Sequence, residues 1–271
     1  MKFVPCGTSE ILLRNMKERI LFHILPTAKY FIIRKDYFIW RSHISFSLAP
    51  SPVLCYNNFN GGESMNLKNL NDNILTRAWK ARYNAQSESI KKQLDWLYDA
   101  EPNEYKLKVI KRKRIQPQEG DVFLVSPRDN IYFYGKVIRS NICNPYSNWT
   151  NGQNVIVIFK CKTDVISMEK YNPNYDDLLV RPTVVTKQYW SNGSFLNIDN
   201  IPLTDLEKNL DYGFYDAIDD CFVKETGEEI NWIPKIMCEK GIATLSGISY
   251  YIERELIIDK TLLDFYDNID R

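Results

Sequence analysis

The sequence predicts an α+β protein: a mostly antiparallel β-sheet or small barrel-like core, preceded by a pair of helices and closed by a C-terminal helix. Three observations predict it. Apolar residues recur at helical spacing between Asn69 and Tyr98, short apolar or alternating runs bounded by turn residues replace them from Glu119 onward, and a helical pattern returns from Ser246 to Leu256. With 44% hydrophobic and 25% charged residues in 271, the chain has the composition of a globular protein with a real core.

Residues 1–64 carry apolar bursts (Ile20 to Leu25, Tyr30 to Ile33, Tyr37 to Trp40) without a sustained period. Gly61-Gly62-Glu63 needs codons of the form GGN-GGN-GAR, which can spell the purine-rich GGAGGAG of a bacterial ribosome-binding site shortly before the Met65 codon. The expectation is that Met65 is the native start and 1–64 a non-native or disordered leader; a flexible linker behind a small N-terminal element is the alternative. Both histidines, His23 and His43, lie in that stretch. A chain from Met65 would lack the commonest general acid–base and transition-metal ligand.

Residues 65–104 read as a helical hairpin. Leu70, Ile74, Leu75, Ala78, Trp79 and Tyr83 form one apolar face, and Ser87 caps a second helix to Tyr98 that Pro102 stops. Residues 105–271 read as a β-rich domain. Its basic opening, Lys106 to Arg114, alternates Lys-Leu-Lys-Val and predicts an edge strand blunted by lysines. Asp121 to Val125 and Ile131 to Arg139 form a hairpin, and Val155 to Lys162 is apolar enough to be central. Leu178 to Thr186 follows, with Pro182 demanding an edge or a bulge. Ser191 to Ser194 turns into a strand at Phe195 to Ile198, Thr204 and Glu207 make a capping box, and Phe222 to Ile230 is a hairpin around Thr226-Gly227.

The formal charge of +1 hides an asymmetry: from Asp199 onward, seven basic residues face seventeen acidic ones. This acidity disfavours nucleic acid as a partner, although the Lys106 to Arg114 run keeps a nucleic-acid-binding small β-barrel as the alternative reading. The six cysteines show no C-x-x-C spacing, which predicts free thiols in a reducing cytosol and no metal site. No phosphate-binding, dinucleotide-binding, hydrolase or zincin motif occurs, and the adjacent pairs Asp176-Asp177 and Asp219-Asp220 read as solvated loops. The expectation is a cytoplasmic binding protein with no catalytic residue, cofactor or membrane partner.

Gly120-Asp121-Val122-Phe123, followed by Tyr132-Phe133-Tyr134-Gly135-Lys136-Val137, resembles the opening strands of the bacterial immunity protein 26 family. Leu178-Leu179-Val180-Arg181-Pro182, Trp190-Ser191-Asn192-Gly193-Ser194-Phe195 and Asn200-Ile201-Pro202-Leu203 resemble that family's later motifs, in order and at matching spacing, so the likeness spans about Gln116 to Leu256. The resemblance implies an antitoxin that binds and neutralises a cognate protein toxin of a polymorphic toxin system. For such a partner the candidate contacts are Tyr132, Tyr134, Trp190 and Phe195 as aromatic anchors, with Asp216, Asp219 and Asp220 in an acidic stretch facing a basic toxin. On a strand Tyr132 and Tyr134 share one face and Phe133 the other, so one set is exposed or lies beneath a helix.

Overall fold

The helical hairpin forms where its caps stand. In the computed structural model, which describes residues 72–146 and 148–264 and the two-residue strands at 33–34 and 37–38, Asn73 caps α1 (Ile74–Asn84) by accepting from the Thr76 amide. Ser87 caps α2 (Glu88–Asp99) in the same way through the Ile90 amide, as the sequence predicts. The Met65 start and both histidines lie outside the described residues.

The chain divides into two units, Met1–Leu48 and Ala49–Arg271. In the first, β1 (Ile33–Arg34) pairs antiparallel with β2 (Tyr37–Phe38). In the second, the strands are β3 (Asp121–Arg128), β4 (Ile131–Arg139), β5 (Asn154–Thr163), β6 (Leu178–Val185), β7 (Phe195–Asn200), β8 (Tyr212–Asp216), β9 (Cys221–Val223), β10 (Glu229–Ile230), β11 (Ile236–Glu239) and β12 (Ile242–Ala243). They make a six-stranded sheet ordered β12-β6-β5-β4-β3-β7 and a four-stranded sheet ordered β10-β9-β8-β11. Pairing is antiparallel except for β12 with β6 and β11 with β8, and neither sheet closes, so the fold is α+β without a barrel. The remaining helices are α3 (Gln188–Ser191), α4 (Asp205–Lys208) and α5 (Leu245–Ile258).

Both faces of the large sheet are covered, which is why β3, β4 and β5 are nearly continuous apolar runs. Phe123, Val125, Phe133, Val137, Ile156 and Ile158 pack beneath α5 through Ile248, Ile252 and Leu256. Val122, Leu124, Tyr134, Val155, Val157 and Phe159 face the small sheet through Tyr212, Phe214, Val223 and Cys238. The alternation expected of Tyr132, Phe133 and Tyr134 therefore holds, with Phe133 on the helix side.

Pro182 sits in the predicted bulge: Thr183 pairs with Ile156 and Val180 with Ile158, so two intervening residues of β6 oppose one of β5. The hairpin of β3 and β4 turns on Asp129-Asn130, with Asn130 at φ 59°. Thr204 and Glu207 form the predicted capping box on α4.

The basic run does not become an edge strand. β3, which Lys108 touches, already has β4 on one side and β7 on the other, so it has no open ladder to offer. Residues 106–119 contain no strand, and the basic run touches its neighbours through isolated backbone bonds, from Lys108 N to Ser126 O (2.8 Å), from Ile110 N to Gly193 O (2.8 Å) and from Lys113 N to Trp190 O (3.1 Å).

The helical hairpin is fastened to α5. Leu94, Leu97 and Tyr105 pack with Tyr250 and Ile257, the Arg82 guanidinium meets both Glu255 carboxylate oxygens at 2.8 and 2.5 Å, and Arg254 lies 4.6 Å from the Trp79 ring centre. Ile74 and Leu75 reach the outer face of the small sheet at Tyr215, Phe222 and Ile230. Arg128 grips Glu253 at 2.5 and 2.7 Å, tying α5 to the end of β3.

Candidate partner-binding surface

The motif residues are wired together. Asp121 accepts from Asn197 Nδ2 at 2.6 Å, from Asn200 Nδ2 at 2.8 Å and from the Gln118 amide at 2.9 Å, while Trp190 Nε1 donates to Asn197 Oδ1 at 2.5 Å. Trp190 is fully buried in an aromatic nest in which Phe195 stacks on Phe123 at 4.4 Å and on Tyr189 at 4.5 Å. Tyr134 is fully buried too and donates to the Ser167 carbonyl.

These positions correct the sequence reading. Tyr134 and Phe195 lie in a sheet covered on both faces and Trp190 in the short α3 packed against it, so all three are core residues and none presents a surface to a partner. Tyr132 is half-buried, packed against the same face as Tyr134.

A second polar cluster is enclosed. Lys136, 2% exposed, donates to Glu207 at 2.7 Å, and the Tyr175 hydroxyl reaches the same oxygen at 2.5 Å. Burial alone would raise the Glu207 carboxyl, but the hydrogen bonds from Lys136, Tyr175 and the Thr204 backbone outweigh it and hold that group below the ordinary glutamate value. Burial and the neighbouring Glu207 push the Tyr175 hydroxyl far up. This cluster locks α4 to the sheet.

The three acidic candidates part company. Asp216 is buried and paired with Lys240, Asp220 accepts from the Tyr215 hydroxyl at φ 53°, and Asp219 is exposed. Asp216 and Asp219 nevertheless line one shallow groove, together with Tyr146, Trp149, Cys221 and Glu229. Tyr146 stands 70% exposed on the loop between β4 and β5, and Ile218, on the turn that carries Asp219, is 44% exposed.

That loop is held firmly. Asn144 Nδ2 donates to Thr150 Oγ1 at 2.9 Å, Thr150 Oγ1 donates to the Glu225 carbonyl at 2.7 Å, and the Tyr146 amide donates to Asn144 Oδ1 at 3.0 Å. Gly227, at φ +83°, admits Asn144 so closely that a Cβ would lie 2.5 Å from its side-chain oxygen. Glu225 is engaged by Arg139 at 3.0 Å and by the Tyr212 hydroxyl at 2.9 Å. The sequence reading missed Tyr146 and Trp149, whose place in the groove depends on a loop clamped to residues 75 or more positions away.

Burial first, and then Glu229, Asp216 and Asp219, raise the Cys221 thiol, and burial raises those of Cys161 and Cys238. None is tuned as a nucleophile. Among the described residues no group of three or more His, Cys, Asp or Glu is placed to hold a metal ion, and no helix is long and apolar enough to cross a membrane.

Residues 118–220 match the Immunity protein 26 family. The Immunity protein 26 match runs from the loop before β3 to the β8–β9 turn, ending short of the Leu256 limit that the motifs suggested. It covers the Asp121–Trp190 network, the Lys136–Glu207 pair and Asp219, and it leaves out the helical hairpin, the basic run and α5. No curated protein and no solved structure matches the chain.

Proposed function

We propose that this protein is a cytoplasmic immunity protein that binds a cognate toxin domain and neutralises it by occupying its surface, without catalysis. The match of residues 118–220 to the Immunity protein 26 family carries this reading. The groove beside Tyr146 supports it. An exposed aromatic on a loop pinned at Asn144 and Thr150, rimmed by Asp219 and Glu229, has the make-up of an interface anchor for a basic partner. Hydrogen bonds within the fold pin the loop in advance, so little ordering entropy opposes binding.

The test is coexpression with the toxin domain encoded beside this gene. Cells should survive, and a stable complex should copurify. Cell death with soluble protein present would count against the proposal.

A further inference from the structure

Four consecutive cationic side chains, Lys111, Arg112, Lys113 and Arg114, stand exposed, and none has a carboxylate within ion-pair distance among the described residues. Five other lysines are matched: Lys91 with Glu88, Lys160 with Asp177, Lys170 with Asp164, Lys224 with Glu228 and Lys235 with Asp176. Lys92, Lys187 and Lys260 are exposed without an ion pair among the described residues as well, but each stands singly, whereas here four such cations are consecutive. It does not protect a sheet edge, since the segment is not a strand.

Nor does the segment hang free. Its Ile110 amide donates to the Gly193 carbonyl at 2.8 Å and its Lys113 amide to the Trp190 carbonyl at 3.1 Å. Gly193, at φ +86°, lets the two backbones touch, for a Cβ there would lie 2.9 Å from the Arg112 nitrogen and 3.0 Å from the Lys111 carbonyl carbon. Arg112, Lys113 and Arg114 thus line a cleft with Ser191 and Asn192. Asn192 Oδ1 accepts the Ser194 amide at 3.0 Å, which orients the side chain and leaves its Nδ2 donor without a partner among the described residues.

We propose that this ledge binds the phosphate backbone of a nucleic-acid duplex. Guanidinium and ammonium groups beside neutral amide and hydroxyl groups are the side chains that phosphate oxygens attract. A protein partner would want an aromatic or large apolar anchor, and the exposed apolar side chain on the segment is Val109 alone. Tyr189 and Trp190 of the adjoining turn are fully buried, so no base can stack on them, and contact is to the backbone and independent of sequence.

Fluorescence anisotropy tests this with the full chain and fluorescein-labelled DNA and RNA duplexes of about 20 base pairs. Binding is expected at about 50 mM salt, falling with a log–log slope of about −3 to −4, as four neutralised phosphates contribute about 0.9 each. The variant K111A/R112A/K113A/R114A, checked by circular dichroism, should bind about tenfold or more weakly. R112E alone should give a partial loss, and K170A/K224A, which removes cations already paired, none. Three results would overturn the assignment: no duplex binding at low salt, undiminished binding by the quadruple variant, or equally tight binding of labelled polyglutamate, which would transfer the ledge to an acidic protein.

Discussion

Phe123 covers Gly135. The two are paired across β3 and β4, and a Cβ built on Gly135 would fall 2.3 Å from the Phe123 Cζ and 2.5 Å from Cε2. An aromatic ring lying over a strand glycine restores the packing that the glycine lacks. This contact gives a physical reason for the glycine in Tyr-Phe-Tyr-Gly and the phenylalanine in Gly-Asp-Val-Phe.

Gly135→Ala should therefore destabilise the fold by about 1–3 kcal/mol, as overpacking does. In a Phe123→Leu background the same change should cost much less. Urea denaturation of the four proteins of this cycle measures the coupling, and equal costs in both backgrounds would refute the contact's role.

The Lys136–Glu207 pair behaves as a buried ion pair. Lys136→Met alone should cost about 3–5 kcal/mol by stranding Glu207, whereas Lys136→Met with Glu207→Leu should recover much of that loss. Comparing denaturation midpoints of the single and double variants checks it.

The same pair sets an acid limit. The Glu207 carboxyl is depressed below its ordinary value of 4.5, so its stabilisation is complete above pH 4.5 and is lost as pH falls through the lower folded value. Glu207→Gln should flatten that part of the stability–pH curve. A curve parallel to wild type below pH 4.5 would contradict the assignment.

Arg82→Ala leaves Glu255 without its bidentate partner. Since the arginine is 39% exposed, solvent screens the pair, and a loss of about 1–2 kcal/mol is expected. Hydrogen exchange should quicken in α1 and α2 before the sheet strands, because that pair and the Trp79–Arg254 contact fasten the hairpin.

Tyr146→Ala removes an exposed side chain and should leave stability within about 0.5 kcal/mol. If the groove is the toxin-facing surface, the same change weakens the complex by about 2 kcal/mol or more, and Asp219→Lys with Glu229→Lys slows association most at low salt. Surface plasmon resonance with the copurified toxin reads both.

Much of the fold was legible because its signals are local. Ser87, Thr204 with Glu207, Pro182 and Thr226-Gly227 each act within a few residues, and each stands where the sequence put it. The parallel pairs are not local. Nothing in Tyr212–Asp216 tells that its neighbour is Ile236–Glu239, and the two-residue β12 carries no period at all. The alternation at Lys106 to Val109 was read as a strand because periodicity reports which side chains are buried, not whether a ladder is free. For the candidate site, the aromatic residues with motif status proved to be core, while Tyr146, with no motif, is the aromatic left exposed beside the acidic turn.

Helix α5 is made late. The apolar face of β3, β4, β5 and β7 that it covers is complete in sequence by Asn200, yet Leu245–Ile258 follows some fifty residues behind. At a synthesis rate of about 5–20 residues per second, that face waits roughly 3–10 s for its cover. The nascent protein thus passes through a stage in which the face that α5 will cover is an open apolar surface, the kind of exposure that makes folding intermediates prone to aggregate.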